Sequence, residues 1–263
     1  MTLRRRLVVC LDVEGDRVVK GVGFERLRDA GDPVELAARY EAEGADEVVL
    51  LDVAASRERR GTLLEVVRRT AERLFVPLTV GGGVRGAEDV GLALRAGADK
   101  VSVNSAAVAR PELLVEAAER YGSQCVVISI DARREPIAAA GDRPRWRVFS
   151  HGGRRATGLE AVAWARRCVE LGAGEVLLTS IDRDGRRDGY DLELTASVVE
   201  AVDVPVVASG GAGAPRHVRD AFVEGGAAAA LVAGILHDGS TTIQDLKDAA
   251  RAAGVPMRGE EER

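Results

Sequence analysis

Short apolar runs rich in β-branched residues alternate along the whole chain with longer segments in which apolar positions recur at helical spacing. Runs of the first kind are typical of buried strands, and recurrence of the second kind is typical of helices that cover them. The pattern predicts eight strands, each followed by a helix. The strands are expected to begin near Leu7, Glu47, Pro77, Lys100, Cys125, Glu175, Pro205 and Ala229.

Capping residues mark the ends of several predicted helices. Asp32 and Pro33 open a helix that Gly44 closes, and Asp191 starts another that is expected to end near Asp203. An aspartate before the first turn accepts hydrogen bonds from free amides, proline fits the first turn, and glycine adopts the conformation that follows a helix end. These signals separate the helices from the strands on either side.

The chain repeats itself at about half its length. Leu7–Asp12 and Val126–Asp131 are both apolar runs that end at an aspartate, and Val80–Gly83 is echoed by Ala208–Gly211. Repeats in one order indicate homologous halves, here approximately residues 1–122 and 123–254. Two further pairs follow in the same order, Val48–Asp52 with Val176–Ser180 and Ala96–Val101 with Gly225–Ala230.

Eight strand–helix units in one repeated chain predict the α/β class and a (β/α)8 TIM barrel, a single domain of residues 1–263 built from two homologous half-barrels. Strands that are apolar throughout are expected when both faces are covered. The alternative is a doubly wound open sheet. The match between the first and fifth strands favours the barrel, because it implies a symmetry that closes.

Charge and length restrict the classes of function. The 263 residues carry a formal net charge of −5, so there is no excess of basic residues for a nucleic-acid surface. No apolar run reaches the length that a membrane span needs, and the segment Met1–Arg6 lacks the apolar region of a signal peptide. We therefore expect a protein that works on small molecules away from membranes.

The cysteines and histidines give no sign of a disulfide or a metal site. Neither set has the spacing of metal ligands, and no cofactor is implied. An odd number of cysteines in apolar surroundings indicates reduced core thiols and a cytoplasmic protein. The histidines lie in segments where we expect them to be solvated. The residues concerned are Cys10, Cys125, Cys168, His151, His217 and His237.

Two connections are longer than the usual link between a strand and a helix, and both follow a strand that ends in aspartate. The first runs from 14 to 31 and contains Lys20; the second runs from 133 to about 157 and contains Trp146–Ser150, which is typical of a hairpin strand. Long connections in compact domains are often functional, so both are candidate lids. An unconstrained surface insertion is the alternative for each.

Asp12 and Asp131 are the candidate catalytic pair. Each closes an apolar strand, which in a barrel places both carboxylates at the C-terminal rim where active sites lie. Such a pair suits general acid and general base catalysis. The alternative is that each aspartate only caps the following turn. For Asp52, which ends the second strand, a supporting role and a structural role stay equally open.

Glycine clusters follow matched strands in the two halves. Gly81–Gly83 and Ser209–Gly211 follow the third and seventh strands, and Asn104–Ser105 and Ala233–Gly234 follow the fourth and eighth. Glycines let backbone amides approach an anion, so a phosphate cradle is predicted at each end of one elongated ligand. Between them, Thr179–Gly185 offers the Thr179 hydroxyl and the Asp184 carboxylate to sugar hydroxyls, or forms only a turn.

Four charged residues stand at the starts of strands, at the opposite end of the predicted barrel. Two positive and two negative side chains would suffice for a ring that closes the barrel base. Charged residues at exposed strand starts are common, however, and the residues alone favour that simpler interpretation. The four are Arg6, Glu47, Lys100 and Glu175.

Several segments together carry a resemblance to a known family, and their combination is specific. They are Cys10–Val13, Arg17–Gly21, Thr79–Gly83, Asp99–Asn104, Ser180–Gly185 and Ala208–Gly211. They resemble the cyclase subunit of imidazole glycerol phosphate synthase, an enzyme of histidine biosynthesis. The resemblance extends from about Arg4 to the last helix.

The resemblance implies a lyase that uses ammonia and no cofactor. Its substrate would be a bis-phosphorylated ribulosyl formimino aminoimidazole carboxamide nucleotide, and its products imidazole glycerol phosphate and aminoimidazole carboxamide ribotide. Ammonia would attack the ribulosyl ketone to give an imine, after which proton transfers cleave the amidine link and close the imidazole ring. The ammonia would come from a separate glutaminase subunit, bound as a heterodimer at the barrel base.

Matched position by position, Asp12 and Asp131 correspond to the family's catalytic acid and base, and Lys20 to its mobile first loop. The resemblance also assigns the four charged strand starts to a gate for ammonia, against the simpler interpretation. The first cradle corresponds to Gly83, Asn104 and Ser105, and the second cradle to Asp184, Gly185, Gly211, Ala233 and Gly234.

Two departures from the family pattern stand out. Gly234 occupies a position where relatives often carry serine, so one hydroxyl contact to phosphate is expected to be replaced by a backbone amide alone. The segment from 133 to 147 is rich in arginine and longer than usual.

Two alternative functions stay open. One is the sister isomerase of the same pathway, which Lys20, Arg6 and Tyr190 disfavour. The other is a non-catalytic barrel that activates a glutaminase.

Overall fold

Eight parallel strands form a closed barrel in the computed structural model, which describes residues 3–22, 25–54, 60–136 and 144–259. Each predicted strand is present and begins within one residue of its predicted start. The barrel strands, numbered with all strands in chain order, are β1 (Arg6–Glu14), β4 (Glu47–Asp52), β5 (Leu78–Gly81), β6 (Lys100–Val103), β7 (Val126–Arg134), β10 (Glu175–Ser180), β11 (Val206–Ser209) and β12 (Ala229–Val232).

Closure of the barrel comes from the pairing of its last strand with its first. Arg6 of β1 lies opposite Ala229 of β12, and β7 pairs in the same parallel sense with β10. Every neighbouring pair around the circle is parallel. The prediction of a TIM barrel is confirmed, and the doubly wound open sheet is excluded because such a sheet has two free edges.

Ten α-helices and one short 3₁₀ helix (Ser123–Cys125) lie in the described residues, and eight of the α-helices cover the barrel. The two short ones, α4 and α9, follow β6 and β12, which are matched strands of the two halves. The helices are α1 (Pro33–Ala42), α2 (Arg60–Ala71), α3 (Ala87–Arg95), α4 (Ser105–Ala109), α5 (Glu112–Tyr121), α6 (Ala161–Glu170), α7 (Leu192–Val199), α8 (Pro215–Val223), α9 (Gly234–His237) and α10 (Ile243–Ala252).

The predicted capping residues act as expected. The Asp32 side chain accepts hydrogen bonds from the amides of Val34 and Glu35 at the start of α1, and Gly44 has a φ of +108° just past its end. Asp191 caps α7, but that helix ends at Val199 rather than near 203 as predicted. In the described residues no helix is both long enough and apolar enough to cross a membrane.

The barrel strands are apolar on both faces because two separate cores pack against them. Outward-facing side chains such as Leu7 and Val9 join the larger core under the helices. Inward-facing side chains form a second cluster, and it separates the charged base of the barrel from the carboxylates at its mouth. That inner cluster comprises Val8, Cys10, Val49, Val127, Leu177, Val207, Ala229 and Leu231.

A hairpin follows each of the two strands that carry the candidate aspartates Asp12 and Asp131. Strands β2 (Arg17–Val22) and β3 (Glu25–Gly31) extend β1, whereas β8 (Trp146–Ser150) and β9 (Arg155–Glu160) extend β7. The hairpin at 146–150 is confirmed, but the first connection was predicted as a loop and contains paired strands instead. Residues 23–24 and 137–143 of the two candidate lids lie outside the described residues.

Candidate active site

Asp12 and Asp131 occupy matched positions at the mouth, where the C-terminal ends of the strands meet. Their strands are four places apart around the barrel in either direction, so the two residues stand on opposite sides. Asp12 is level with Leu51 of β4, and Asp131 with Thr179 of β10. Strand alternation turns both side chains inward, because each lies two residues beyond an inward-facing residue of the same strand.

Burial, together with the charge of Asp184, raises the pKa of both carboxyl groups. Burial and the charge of Asp184 raise the pKa of Asp12 to about 6, against a weak opposing hydrogen bond from the Cys10 thiol at 3.8 Å. The same two causes raise the pKa of Asp131 to about 7, although the side-chain amide of Asn104 donates to it at 2.9 Å. Near neutral pH one carboxyl can therefore hold a proton while the other is ionised.

Asp184 lies where the loop after β10 reaches the mouth. Its charge acts on both Asp12 and Asp131, so the three carboxyl groups face one common space. Desolvation raises the pKa of Asp184 itself, and a hydrogen bond from the Gly185 amide opposes that rise. Gly185 has a φ of +75°, so the predicted turn is present together with a carboxylate that reaches the site.

The first cradle and Asp131 line the same cavity, which has a volume of about 790 Å³. Asn104 and Ser105 lie where β6 passes into α4, and the Ser105 hydroxyl accepts a hydrogen bond from the His151 amide at 2.8 Å. Asn104 Oδ1 is buried and has no hydrogen-bond partner within the described parts of the chain. That oxygen is therefore available to accept from a ligand N–H or O–H group.

Asp52 stabilises its own turn and also lies at the cavity. Its carboxylate accepts a hydrogen bond from the Ala54 amide at 3.0 Å, which stabilises the turn after β4. Asp52 also lines the cavity of the first cradle. Gly82 packs against it so closely that a Cβ at Gly82 would lie 2.3 Å from the Asp52 carbonyl oxygen. Glycine is required there, both for this approach and for a φ of +95°.

Three loops meet at the second cradle. Gly211, with a φ of +107°, accepts a hydrogen bond from the Gly189 amide at 2.9 Å, and a Cβ on Gly211 would lie 2.1 Å from the Gly189 carbonyl oxygen. Ala233 and Gly234 lie where β12 passes into α9. The loops after β10 and β11 are thus packed backbone against backbone at the mouth, and the loop after β12 meets them at Gly234, next to the Arg187 side chain.

Two further predicted ligand residues are placed less completely. Thr179 lies in register with both Asp131 and Ser209, and its partly exposed side chain belongs to the barrel mouth between the two cradles. The backbone of Lys20 lies on β2, opposite Arg28 of β3. The side chain of Lys20 lies outside the described residues.

The four charged strand starts form one closed ring, called the base ring below. Arg6 bonds Glu47 at 2.7 Å and also bonds Glu175, while Lys100 bonds Glu47 at 2.7 Å and Glu175 at 2.6 Å. Thr79 donates a further hydrogen bond to Glu47 at 2.8 Å. Burial alone would raise the pKa of Glu175, but Arg6 and Lys100 hold it below its usual value. The interpretation of these residues as separate exposed charges is wrong, because barrel closure points all four inward.

The expectation that all three histidines are solvated is wrong for two of them. His217 is only 6% exposed within α8, and burial lowers its pKa. The His237 ring lies between the Tyr40 hydroxyl at 2.7 Å and the Cys10 carbonyl oxygen at 3.1 Å. His217 is buried and His237 is partly buried with two hydrogen-bond partners, because their helices pack onto the barrel. The described residues hold no group of three or more His, Cys, Asp or Glu side chains placed to bind a metal ion.

Three arginines that were not predicted from the sequence line the cavity of the first cradle, namely Arg85, Arg110 and Arg154. Arg110 forms an ion pair with Glu116, and all three are exposed. Arg85 follows β5, Arg110 follows the short helix α4, and Arg154 lies in the turn of the second hairpin. All three belong to connections after barrel strands, which was the available signal, since such connections surround the mouth of a barrel.

Comparison with known proteins agrees with this geometry. The model of the histidine biosynthesis protein family matches residues 6–242. The imidazole glycerol phosphate synthase subunit HisF of Myxococcus xanthus (strain DK1622) is 70% identical over 256 residues, which cover 97% of this chain and 98% of the relative. The subunit of the same name from Frankia casuarinae is 58% identical over 258 residues, which cover 98% of this chain and 100% of the relative.

Proposed function

Since the chain belongs to the histidine biosynthesis protein family, within the HisF subunits of imidazole glycerol phosphate synthase, we propose that it catalyses the ammonia-dependent cyclase step. The substrate is a bis-phosphorylated ribulosyl formimino aminoimidazole carboxamide nucleotide. The products are imidazole glycerol phosphate and aminoimidazole carboxamide ribotide. The chain acts together with a partner subunit, in keeping with relatives that are themselves named as subunits.

One observation carries the proposal: two facing carboxyl groups, with pKa values of about 6 and about 7, stand between two glycine-rich cradles. The barrel mouth is therefore suited to a long ligand with an anion at each end and proton transfer in the middle. A single carboxylate with an ordinary pKa would be almost wholly ionised at neutral pH and a poor proton donor. The pair supplies one donor and one acceptor.

In this mechanism each phosphate lies in one cradle and the ribulosyl ketone lies between Asp12 and Asp131. Ammonia adds to the ketone carbon, and water leaves as the imine forms, with protons supplied and removed by the two carboxyl groups. The nitrogen from ammonia then bonds the formimino carbon and closes the ring, while the C–N bond from that carbon to the ribotide breaks and the ribotide nitrogen takes up a proton from a carboxyl group. Asn104 holds the Asp131 carboxylate by one hydrogen bond, which fixes its orientation towards the substrate.

We propose that the partner is a glutaminase and that it docks at the barrel base, near Arg6 and Lys100. The base ring fits a gate, because it fills the narrow end of the barrel with four interlocked charges. Beyond the ring, the apolar inner cluster leads towards the carboxylates and offers little competition for a small neutral molecule such as ammonia. A cytoplasmic location is part of the same proposal, in line with three free cysteines.

The proposal includes two homologous halves, approximately residues 1–122 and 123–254. Three matched features support it, since each half contributes one catalytic carboxylate, one hairpin beyond that strand and one short helix at a cradle. Duplication of a unit with a single phosphate cradle explains why a ligand with two phosphates fits one mouth.

Turnover with ammonium chloride, without any partner, tests the assignment. Wild-type protein should release both products, and Asp12→Asn and Asp131→Asn should each lower turnover by about 10²- to 10⁴-fold while the fold survives. Asp203→Asn, at an exposed aspartate, is the matched control and should keep wild-type turnover. Isomerisation of ribose to ribulose without ring closure would identify the sister isomerase instead. Activation of a glutaminase without any turnover would identify a scaffold barrel.

A further inference from the structure

The second cradle has an open space at Gly234, and an arginine from another loop fills it. A Cβ on Gly234 would lie 3.5 Å from Nη2 of Arg187, which is an ordinary van der Waals contact. The guanidinium group therefore stands where the side chain of a larger residue at position 234 would point. It reaches this place from the loop after β10, which also carries Asp184 and Gly185.

The backbone of Arg187 is held in an unfavourable conformation. Its φ is +62°, and in the described residues only His151 is a second non-glycine residue with positive φ. A Cβ on Gly213 would lie 2.0 Å from the Arg187 carbonyl oxygen, so the loop after β11 packs directly against this backbone. Left-handed backbone at a residue other than glycine persists where the surroundings enforce it, and such residues concentrate at functional sites.

The side chain of Arg187 is fixed at its far end as well. Its Nη2 forms an ion pair with Asp238, just past the end of α9, and the Asp238 carboxylate also accepts a hydrogen bond from the Ser240 amide at 3.0 Å. A guanidinium group has five N–H donors in a planar fork, so this pair leaves donors for a second anion. The fork matches a phosphate group better than the point charge of an ammonium group does.

We propose that Arg187 is a phosphate-binding residue of the second cradle, and that its guanidinium group takes the donor role which a side chain at position 234 would otherwise have. The inference rests on the proposed function, because that function supplies the phosphate. Arg187 connects the three loops of the cradle: its backbone contacts the loop after β11, and its side chain contacts Asp238 and Gly234 beyond β12.

Steady-state kinetics with ammonium chloride test this role, with Arg187→Gln against Arg186→Gln. Both variants remove one positive charge from the same loop, but only Arg187 faces Gly234. We expect Arg187→Gln to raise KM for the bis-phosphorylated substrate about 10- to 100-fold, the usual effect of losing a charged hydrogen bond, with kcat changed less than about threefold. Arg186→Gln should leave both constants within about twofold. Equal effects of the two variants would show a general charge effect and overturn the proposal.

A double substitution separates the phosphate contact from a structural role. Adding Gly234→Ser to Arg187→Gln should bring the raised KM part of the way back to the wild-type value, because a hydroxyl then enters the space that the guanidinium has left. Arg187→Lys, which keeps the charge and most of the stem, should give an intermediate KM. The proposal would be overturned if Gly234→Ser left the raised KM of Arg187→Gln unchanged and Arg187→Lys had the wild-type KM, because Arg187 would then make no specific contact with phosphate.

Equilibrium binding of the two products decides the matter independently of turnover. Each product carries one of the two phosphates, so Arg187→Gln should weaken the binding of one product about 10-fold or more and leave the other unchanged. Loss of both affinities, or of neither, would refute the inference. Absence of turnover in the wild-type protein would instead refute the proposed function, and the binding comparison would still report on Arg187.

Discussion

An ionised Asp131 lowers the stability of the fold, so its replacement should stabilise the protein although the proposed mechanism predicts that turnover falls. The pKa of this carboxyl rises from 3.8 to about 7 on folding, mainly through burial. A shift of about three units corresponds to about 4 kcal/mol at about 1.4 kcal/mol per unit. Because the folded state binds the proton more tightly, the free energy of unfolding falls as pH rises from about 4 to about 7.

Asp131→Asn removes the charge and keeps the shape of the side chain. The amide oxygen of the new residue can still accept the hydrogen bond from Asn104, which is 2.9 Å long in the wild-type protein. The stability of the variant relative to wild type should therefore grow with pH. Between pH 5 and pH 8 the gain should increase by about 2 to 3 kcal/mol, the part of the shift that lies within that range.

Urea unfolding at pH 5 and pH 8, followed by circular dichroism, measures this gain. Asp203→Asn is the control, and its difference from wild type should be the same at both pH values because the residue is exposed. A gain for Asp131→Asn that is equal at both pH values, or larger at pH 5, would refute the reasoning. The expected result is a trade of stability for activity, in which the site retains a destabilising group because catalysis needs it.

Three other substitutions test how the site is held. Gly82→Ala should lower the free energy of unfolding, measured by thermal unfolding, by at least about 2 kcal/mol, because the new Cβ would lie 2.3 Å from a carbonyl oxygen and the backbone there has a φ of +95°. Gly61→Ala is the control and should change the free energy of unfolding by less than about 1 kcal/mol, because a Cβ there would meet nothing within 4 Å. Glu47→Gln should cost about 3 kcal/mol or more in urea unfolding, since it leaves two cations of the base ring short of a carboxylate; a loss below about 1 kcal/mol would mean that the ring is not a stabilising network. Tyr40→Phe should cost about 1 to 3 kcal/mol, because it leaves Nδ1 of His237 without the hydroxyl at 2.7 Å; wild-type thermal stability would contradict that bond.

Local sequence determined the elements and the end of the barrel at which the catalytic candidates lie. Apolar runs with two covered faces specify β1 and β7, and the direction of a parallel strand then places Asp12 and Asp131 at the same rim. The repeat between the two halves adds that these residues are matched around the barrel. The hairpin β2–β3 was missed because β3 is mostly charged and the valines of β2 do not alternate regularly with polar residues, so no clear strand pattern marks either segment.

Tertiary structure alone decided the contacts between residues far apart in the chain. Nothing local to Asn104 indicated that its amide would bond Asp131, and His237 bonds Tyr40 although it was expected to be solvated. The approach of Arg187 to Gly234 is likewise absent from any local pattern. Hydrophobic periodicity fixes which face a residue takes, but the register and closure of the barrel fix which side chains meet. The raised pKa values of the carboxyl groups depend on that closure, because burial and neighbouring charge exist only in the folded mouth.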